Sequence, residues 1–133
     1  MKTKTFKQTI EVNATPKEIY DTWLSSKGHS KMIGDKAKTG NNEGDKLSMW
    51  DGYITGENIE LKDGVLIKQN LRFEYDDWDK EYMSVITLKL KKGNKGKTRI
   101  LFTHSKVPSQ HADDLKQGWI DNYWNNLKAM LNK

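Results

Sequence analysis

The sequence predicts an α+β fold: a curved antiparallel sheet of six strands wrapped around a long C-terminal helix, with two short helices after the first strand. Three observations predict it. Period-two alternation separated by turn dipeptides fills the middle of the chain, and such alternation marks half-buried strands. A capped helix start follows the first alternating run. The last quarter carries apolar residues at steps of three and four, the stripe of a helix that covers a sheet face.

The elements follow in order. Residues 6–12 alternate, with Phe6, Gln8, Ile10 and Val12 on one face. Thr15-Pro16-Lys17-Glu18 reads as a capping box with proline at the first helical position. Ile19, Tyr20, Trp23 and Leu24 give that helix an apolar stripe, which stops near residues 25–28. A second helical piece is expected over residues 30–33, then a polar loop over 36–44. Asp51-Gly52 and Asp63-Gly64 separate strands at 47–50, 53–61 and 65–74. Asp-Gly between apolar runs is a hairpin signal, because both residues of the turn adopt positive φ. Gly56, inside its strand, predicts a bulge or a close backbone approach. A loop over 75–81 leads to a strand at 82–90, and Gly93-Asn94-Lys95-Gly96 turns the chain into a strand at 98–106, ended by Pro108. Ser109 is expected to cap the last helix, with Asp113 and Asp114 in its first turn, where the helix dipole favours acids. Leu115, Trp119, Tyr123, Leu127 and Met130 form its apolar face. The inner sheet face would carry Phe6 and Ile10, then Ile67, Gln69, Leu71 and Phe73. Tyr82, Ser84, Ile86 and Leu88, with Ile100, Phe102 and His104, would complete it. No repeat or linker divides the chain, so residues 1–133 are expected to form a single domain.

Composition narrows the function. There is no cysteine, which excludes thiol nucleophiles, zinc ribbons and disulfide scaffolds. Five tryptophans, five tyrosines and three phenylalanines argue against disorder. No apolar run approaches the ~18 residues of a membrane span, so a soluble, cytoplasmic protein is expected. The net charge of +5 comes from 23 basic and 18 acidic residues, yet only Arg72 and Arg99 are arginine. Nucleic-acid readers favour arginine for bidentate contacts, so no nucleic-acid partner is expected. The charge is unevenly placed. Glu74, Asp76, Asp77, Asp79 and Glu81 crowd one loop, and Lys91, Lys92, Lys95 and Lys97 crowd the next turn. Consecutive turns of a meander lie at opposite ends of the sheet, which predicts one acidic and one basic end.

Chemical motifs are few. Gly96-Lys97-Thr98 ends like a phosphate loop, but Lys91 stands where that motif requires glycine and a strand, not a helix, follows. His29, His104 and His111 are too widely spaced for a local zinc motif, so no metal and no cofactor are expected. His29 and His111 are expected at the surface. His104 sits on the inner face, either hydrogen-bonded in the core or serving as an acid–base group. Gln8 and Gln69 also point inward, where each must find a partner or orient a ligand. Trp119, Tyr123 and Trp124 are expected in the core.

The run from Gly44 to Gly56, Glu60-Leu61, and Ile67-Lys68-Gln69-Asn70-Leu71-Arg72-Phe73 resembles the family named for the activator of the heat-shock protein 90 ATPase. The likeness continues through Trp78, residues 84–90, Thr103-His104-Ser105, Val107-Pro108 and Gly118-Trp119. It implies a START-like, helix-grip fold of the SRPBCC superfamily, in which the sheet and long helix enclose a cavity. It covers the C-terminal module of the two-domain eukaryotic co-chaperone and not its larger, chaperone-activating N-terminal domain. The family often has tryptophan where this chain has Leu71; the smaller residue predicts either a larger cavity or a neighbour filling the space.

These readings lead to an expected non-catalytic module that binds a small hydrophobic molecule between sheet and helix. The expected lining is Met49, Ile67, Gln69, Leu71, Phe73, Ile86, Phe102, His104, Leu115, Trp119 and Tyr123. One alternative is a co-chaperone-like protein that binds and modulates a heat-shock protein 90-type chaperone. The other is a START-like cyclase or hydrolase using His104.

Overall fold

A computed structural model describes residues 1–131. The chain forms β1 (Thr3–Val12), α1 (Pro16–Leu24), α2 (Ser26–Ile33), β2 (Ala37–Lys38), β3 (Lys46–Met49), β4 (Ile54–Lys62), β5 (Leu66–Phe73), β6 (Ser84–Lys92) and β7 (Thr98–Pro108). A 3₁₀ turn at Ser109–His111 precedes α3 (Ala112–Trp119); a π turn at Ile120–Trp124 links it to α4 (Asn125–Leu131). The strands make one curved antiparallel sheet in the order β1-β7-β6-β5-β4-β3-β2.

Among the described residues the sheet therefore has seven strands, one more than the six expected. The addition is β2, which pairs Ala37 with Met49 and Lys38 with Ser48. Nothing in its sequence alternates. Serines of α2 hold it at the sheet edge: Ser30 Oγ accepts from Ala37 N at 3.0 Å and donates to Ala37 O at 3.1 Å, and Ser26 Oγ accepts from Thr39 N at 2.9 Å.

Local chemistry explains the other boundaries. The capping box at Thr15 and Glu18 forms in both directions. Ser25 ends α1 and also caps α2, accepting from Gly28 N at 3.0 Å, so α2 begins at Ser26 and not at the expected residue 30. The Asp51-Gly52 turn has both residues at positive φ. In the Asp63-Gly64 turn only Gly64 does, and Val65 N donates to Lys62 O at 2.9 Å. At Gly56 a Cβ atom would lie 1.8 Å from Asn70 O, so glycine permits a close backbone approach there. The bulge falls further along β4, between Asn58 and Glu60.

The C-terminal helix departs most from expectation. Ser109 does not cap it; the 3₁₀ turn intervenes and α3 starts at Ala112 with no side-chain cap. The helix is also interrupted. In the π turn Asn125 N–H reaches back to Ile120 O, and Ile120 N–H turns to Gln117 O. Lys116 O instead accepts from Gln8 Nε2 at 2.9 Å, while Gln8 Oε1 accepts from Trp124 Nε1 at 2.8 Å. Gln8 thus clips the widened turn to β1. The extra residue in the turn brings both Tyr123 and Trp124 inward and shifts the distal stripe, so that Leu131 is buried and Met130, the expected position, only partly so.

Candidate ligand groove

The interior is dominated by rings. Trp119 packs on Phe102 at 4.8 Å and Tyr123 at 4.7 Å between centroids, and Trp23 stacks on Trp124 at 5.8 Å. Trp23, which α1 delivers, is fully buried.

Polar groups in this core are paired. Trp23 Nε1 donates to Gln69 Oε1 at 3.1 Å, and Gln69 Nε2 donates to Asn58 Oδ1 at 2.8 Å. Asn58, set inward beside the bulge, passes the chain of bonds to the carbonyls of Gly40 and Asn42. Trp119 Nε1 donates to His104 Nδ1 at 3.0 Å, which places the His104 proton on Nε2; that nitrogen donates to Ser84 Oγ at 2.9 Å, and Ser84 donates to Leu71 O. Both ring nitrogens of His104 are engaged, and burial pushes its pKa down to about 3.

His29, expected at the surface, is fully buried. The capped start of α2 turns it under α1, where Nδ1 donates to Trp23 O at 2.8 Å and Nε2 accepts from the Tyr123 hydroxyl at 3.0 Å. Burial lowers its pKa to about 4, against the smaller opposing effect of the Trp23 carbonyl. Burial pushes the Tyr123 phenol up, and the Trp50 side chain bonded to it pulls the other way. His111 is also largely covered, its side chain 15 % exposed. Its ring stacks on Tyr75 at 3.8 Å and Nε2 meets Asp77 Oδ1 at 2.6 Å, which ties the acidic loop to the start of the helix.

An open groove of about 510 Å³ lies at one end of the sheet–helix interface. One wall is the β3–β4 turn, with Trp50, Tyr53 and Ile54. The next is the end of β5, with Phe73 and Tyr75. The helix supplies Leu115, Gly118, Trp119, Asn122 and Tyr123, and Asp35, Asp114, Gln117 and Asp121 edge the opening. Positive φ at Trp50, Asp51 and Gly52 brings Trp50 and Tyr53 to this mouth. Gly118 leaves its side open; a Cβ there would meet nothing nearer than Asn122 Nδ2 at 3.8 Å.

Of the expected lining residues, Phe73, Leu115, Trp119 and Tyr123 stand on this groove. Met49, Ile67, Gln69, Leu71, Ile86, Phe102 and His104 lie deeper, in the buried core. Leu71 sits in register between Gly56 and Ser84, fully buried and away from the groove. Trp50, Tyr53, Tyr75 and Gly118 are walls that the sequence reading did not assign. Their one sequence signal was position: aromatics flanking an Asp-Gly turn, and a glycine beside Trp119 in the last helix. Among the described residues, no group of three or more His, Asp or Glu side chains is arranged to hold a metal, and no helix is long and apolar enough to cross a membrane.

A curved antiparallel sheet gripping a long C-terminal helix, with two short helices after its first strand, is the START-like helix-grip architecture. The chain belongs to the family described as activator of Hsp90 ATPase homolog 1-like protein, whose model matches residues 13–132. It is 27% identical over 126 residues to an activator of 90 kDa heat shock protein ATPase homolog from Dictyostelium discoideum, covering 95% of this chain and 32% of that protein. It is 25% identical over 114 residues to the activator homolog 1 of Mus musculus, covering 86% of this chain and 33% of that protein. The chain thus spans about a third of the length of these curated relatives. Among solved structures, an HSP90 activator from Plasmodium falciparum superposes with a TM-score of 0.87 at 22% identity, covering 96% of both chains.

Proposed function

We propose that residues 1–133 act as one non-catalytic, cytoplasmic binding domain that takes a small apolar ligand in the groove at the mouth of the sheet–helix interface. The observation that carries this reading is a concavity of about 510 Å³ with aromatic walls. That volume falls within the roughly 300–1,000 Å³ of small-molecule sites, which combine apolar walls with a few polar groups. Phe73, Leu115, Trp119 and Tyr123 are the residues of the expected lining that would meet the ligand. The seven deeper ones would support those walls from behind. His104 is a poor acid or base here, since both of its nitrogens are engaged in the core.

The test is titration of the full chain with the neutral dye N-phenyl-1-naphthylamine. Saturable fluorescence enhancement is expected. Gly118→Phe, which fills the groove from the helix side, should weaken binding at least tenfold. Absent binding, or binding indifferent to Gly118→Phe in a folded variant, would overturn the reading.

A second reading, modulation of a heat-shock protein 90-type chaperone, is favoured by the family and by the separation of acidic and basic turns to opposite ends of the sheet. Salt-sensitive capture of the organism's own chaperone, with a change in its ATPase rate, would support it. No association at low salt would exclude it.

A further inference from the structure

The groove has a charge as well as a shape. Resting on the reading of the groove as a ligand site, we propose that its ligand is a small organic ammonium ion, an apolar body carrying a protonated amine. Asp35, Asp114 and Asp121 stand on its edge, and no lysine, arginine or histidine is among its walls. Among the described residues none of the three carboxylates is in an ion pair with a basic side chain. Each has one oxygen engaged by a neutral donor: Asp35 by Lys36 N at 2.7 Å, Asp121 by Gln117 Nε2 at 3.0 Å, and Asp114 by the Tyr75 hydroxyl.

In a chain of net charge +5, a concavity whose charged lining residues are all acids reverses the local sign. The acidic loop extends that field, because Tyr75 is both a groove wall and the first link to Asp77 through its stacking on His111. The walls add a second attraction of the same sign. The faces of Trp50, Tyr53, Tyr75 and Trp119 are negative at their centres, and an ammonium ion over such a ring is attracted to it. A carboxylate ligand of the same shape would meet both effects with the wrong sign. Charge and ring chemistry therefore select one class of head group, while Phe73 and Leu115 offer surface to its apolar body.

The test compares three isosteric probes by calorimetry on the full chain near neutral pH: 2-naphthylmethylamine, 2-naphthalenemethanol and 2-naphthoate. The amine, cationic at that pH, should bind about tenfold more tightly than the alcohol, and the carboxylate more weakly than the alcohol. The double variant Asp35→Asn/Asp121→Asn, at two exposed positions, should cut the amine's advantage over the alcohol to about threefold or less, with Asp114 and the rings still in place. Backbone NMR shifts on adding the amine should centre on Gly118 and Trp50. Equal binding of amine and alcohol would overturn the ammonium assignment and leave the groove reading standing. An amine advantage that survives the double variant undiminished, or amine-induced shifts that map to the acidic loop alone, would also overturn the assignment. Failure of all three probes to bind would remove the groove reading itself.

Discussion

Two buried histidines make acid the sharpest perturbation of this fold. His29 and His104 are held neutral in the core, with pKa values near 4 and 3 against an ordinary 6.5. The folded values lie below the unfolded one, so below about pH 6.5 the unfolded chain binds protons that the folded chain refuses. Stability is therefore fully present above that pH and falls as the pH drops toward the folded values. Each pH unit costs about 1.4 kcal/mol per histidine once the unfolded imidazole is charged. At pH 5 the penalty is about 2 kcal/mol for each and about 4 kcal/mol together, a large share of a typical 5–15 kcal/mol. Asp77, whose carboxyl is held below its ordinary 3.8 chiefly by Gln110 and then by His111, acts in a more acidic range and does not blur this window.

Urea unfolding between about pH 5 and pH 6.5 reads the effect as a slope, near 2.5 kcal/mol per pH unit at the acid end. His29→Asn can still donate to Trp23 O, and His104→Asn can still accept from Trp119 Nε1. Each variant should lose about 1–3 kcal/mol at pH 7 for the partner it strands. Each should also halve the acid slope, which an ordinary packing defect would not do. Slopes identical to that of the parent chain in both variants would refute the assignment of neutral, buried histidines.

Two further outcomes follow from the last helix. Gly118→Ala should stabilise by about 0.5–1 kcal/mol, read as a rise of a few degrees in Tm by circular dichroism, because the added Cβ meets only Asn122 Nδ2 at 3.8 Å. Gln8→Leu should destabilise by about 1–3 kcal/mol by stranding Trp124 Nε1 and Lys116 O, with faster amide exchange in residues 120–131 than in β4 and β5.

What was legible in the sequence was whatever depends on local chemistry. The capping box at Thr15 and Glu18 and the two Asp-Gly turns each need only a few neighbouring residues, and both are in the structure; the close approach at Gly56 is made to Asn70 on β5, and a glycine inside a strand was its one local sign. β2 was not legible, because it is held by serines of α2, Ser30 bonding Ala37 and Ser26 bonding Thr39, and not by any pattern of its own. His29 looked exposed in a polar stretch; only the packing of α1 against α2 and the helix buries it against Trp23 and Tyr123. The groove was half legible. The inward faces of β5 and α3 pointed to Phe73, Leu115 and Trp119, but alternation does not distinguish a wall from the core behind it. Gln69 and Leu71 share the alternation of Phe73, yet only Phe73, at the strand's end, reaches the opening.

The π turn divides the last helix into two parts that answer to different neighbours. Ahead of it, α3 presents Leu115, Gly118 and Trp119 to the groove; beyond it, α4 lies against α2 and β1 and buries Leu127 and Leu131. A regular helix would couple the two, since a one-residue change of length rotates everything downstream by about 100°. Here the wide turn sets the phase between the two parts. Deleting one residue within Ile120–Trp124 would restore regular phase, but it would swing the anchoring stripe of α4 off its seat and break the Gln8 clip. The groove half can thus vary by substitution alone while the anchoring half keeps its frame, which makes Ile120–Trp124 the segment where this fold is least tolerant of an insertion or a deletion.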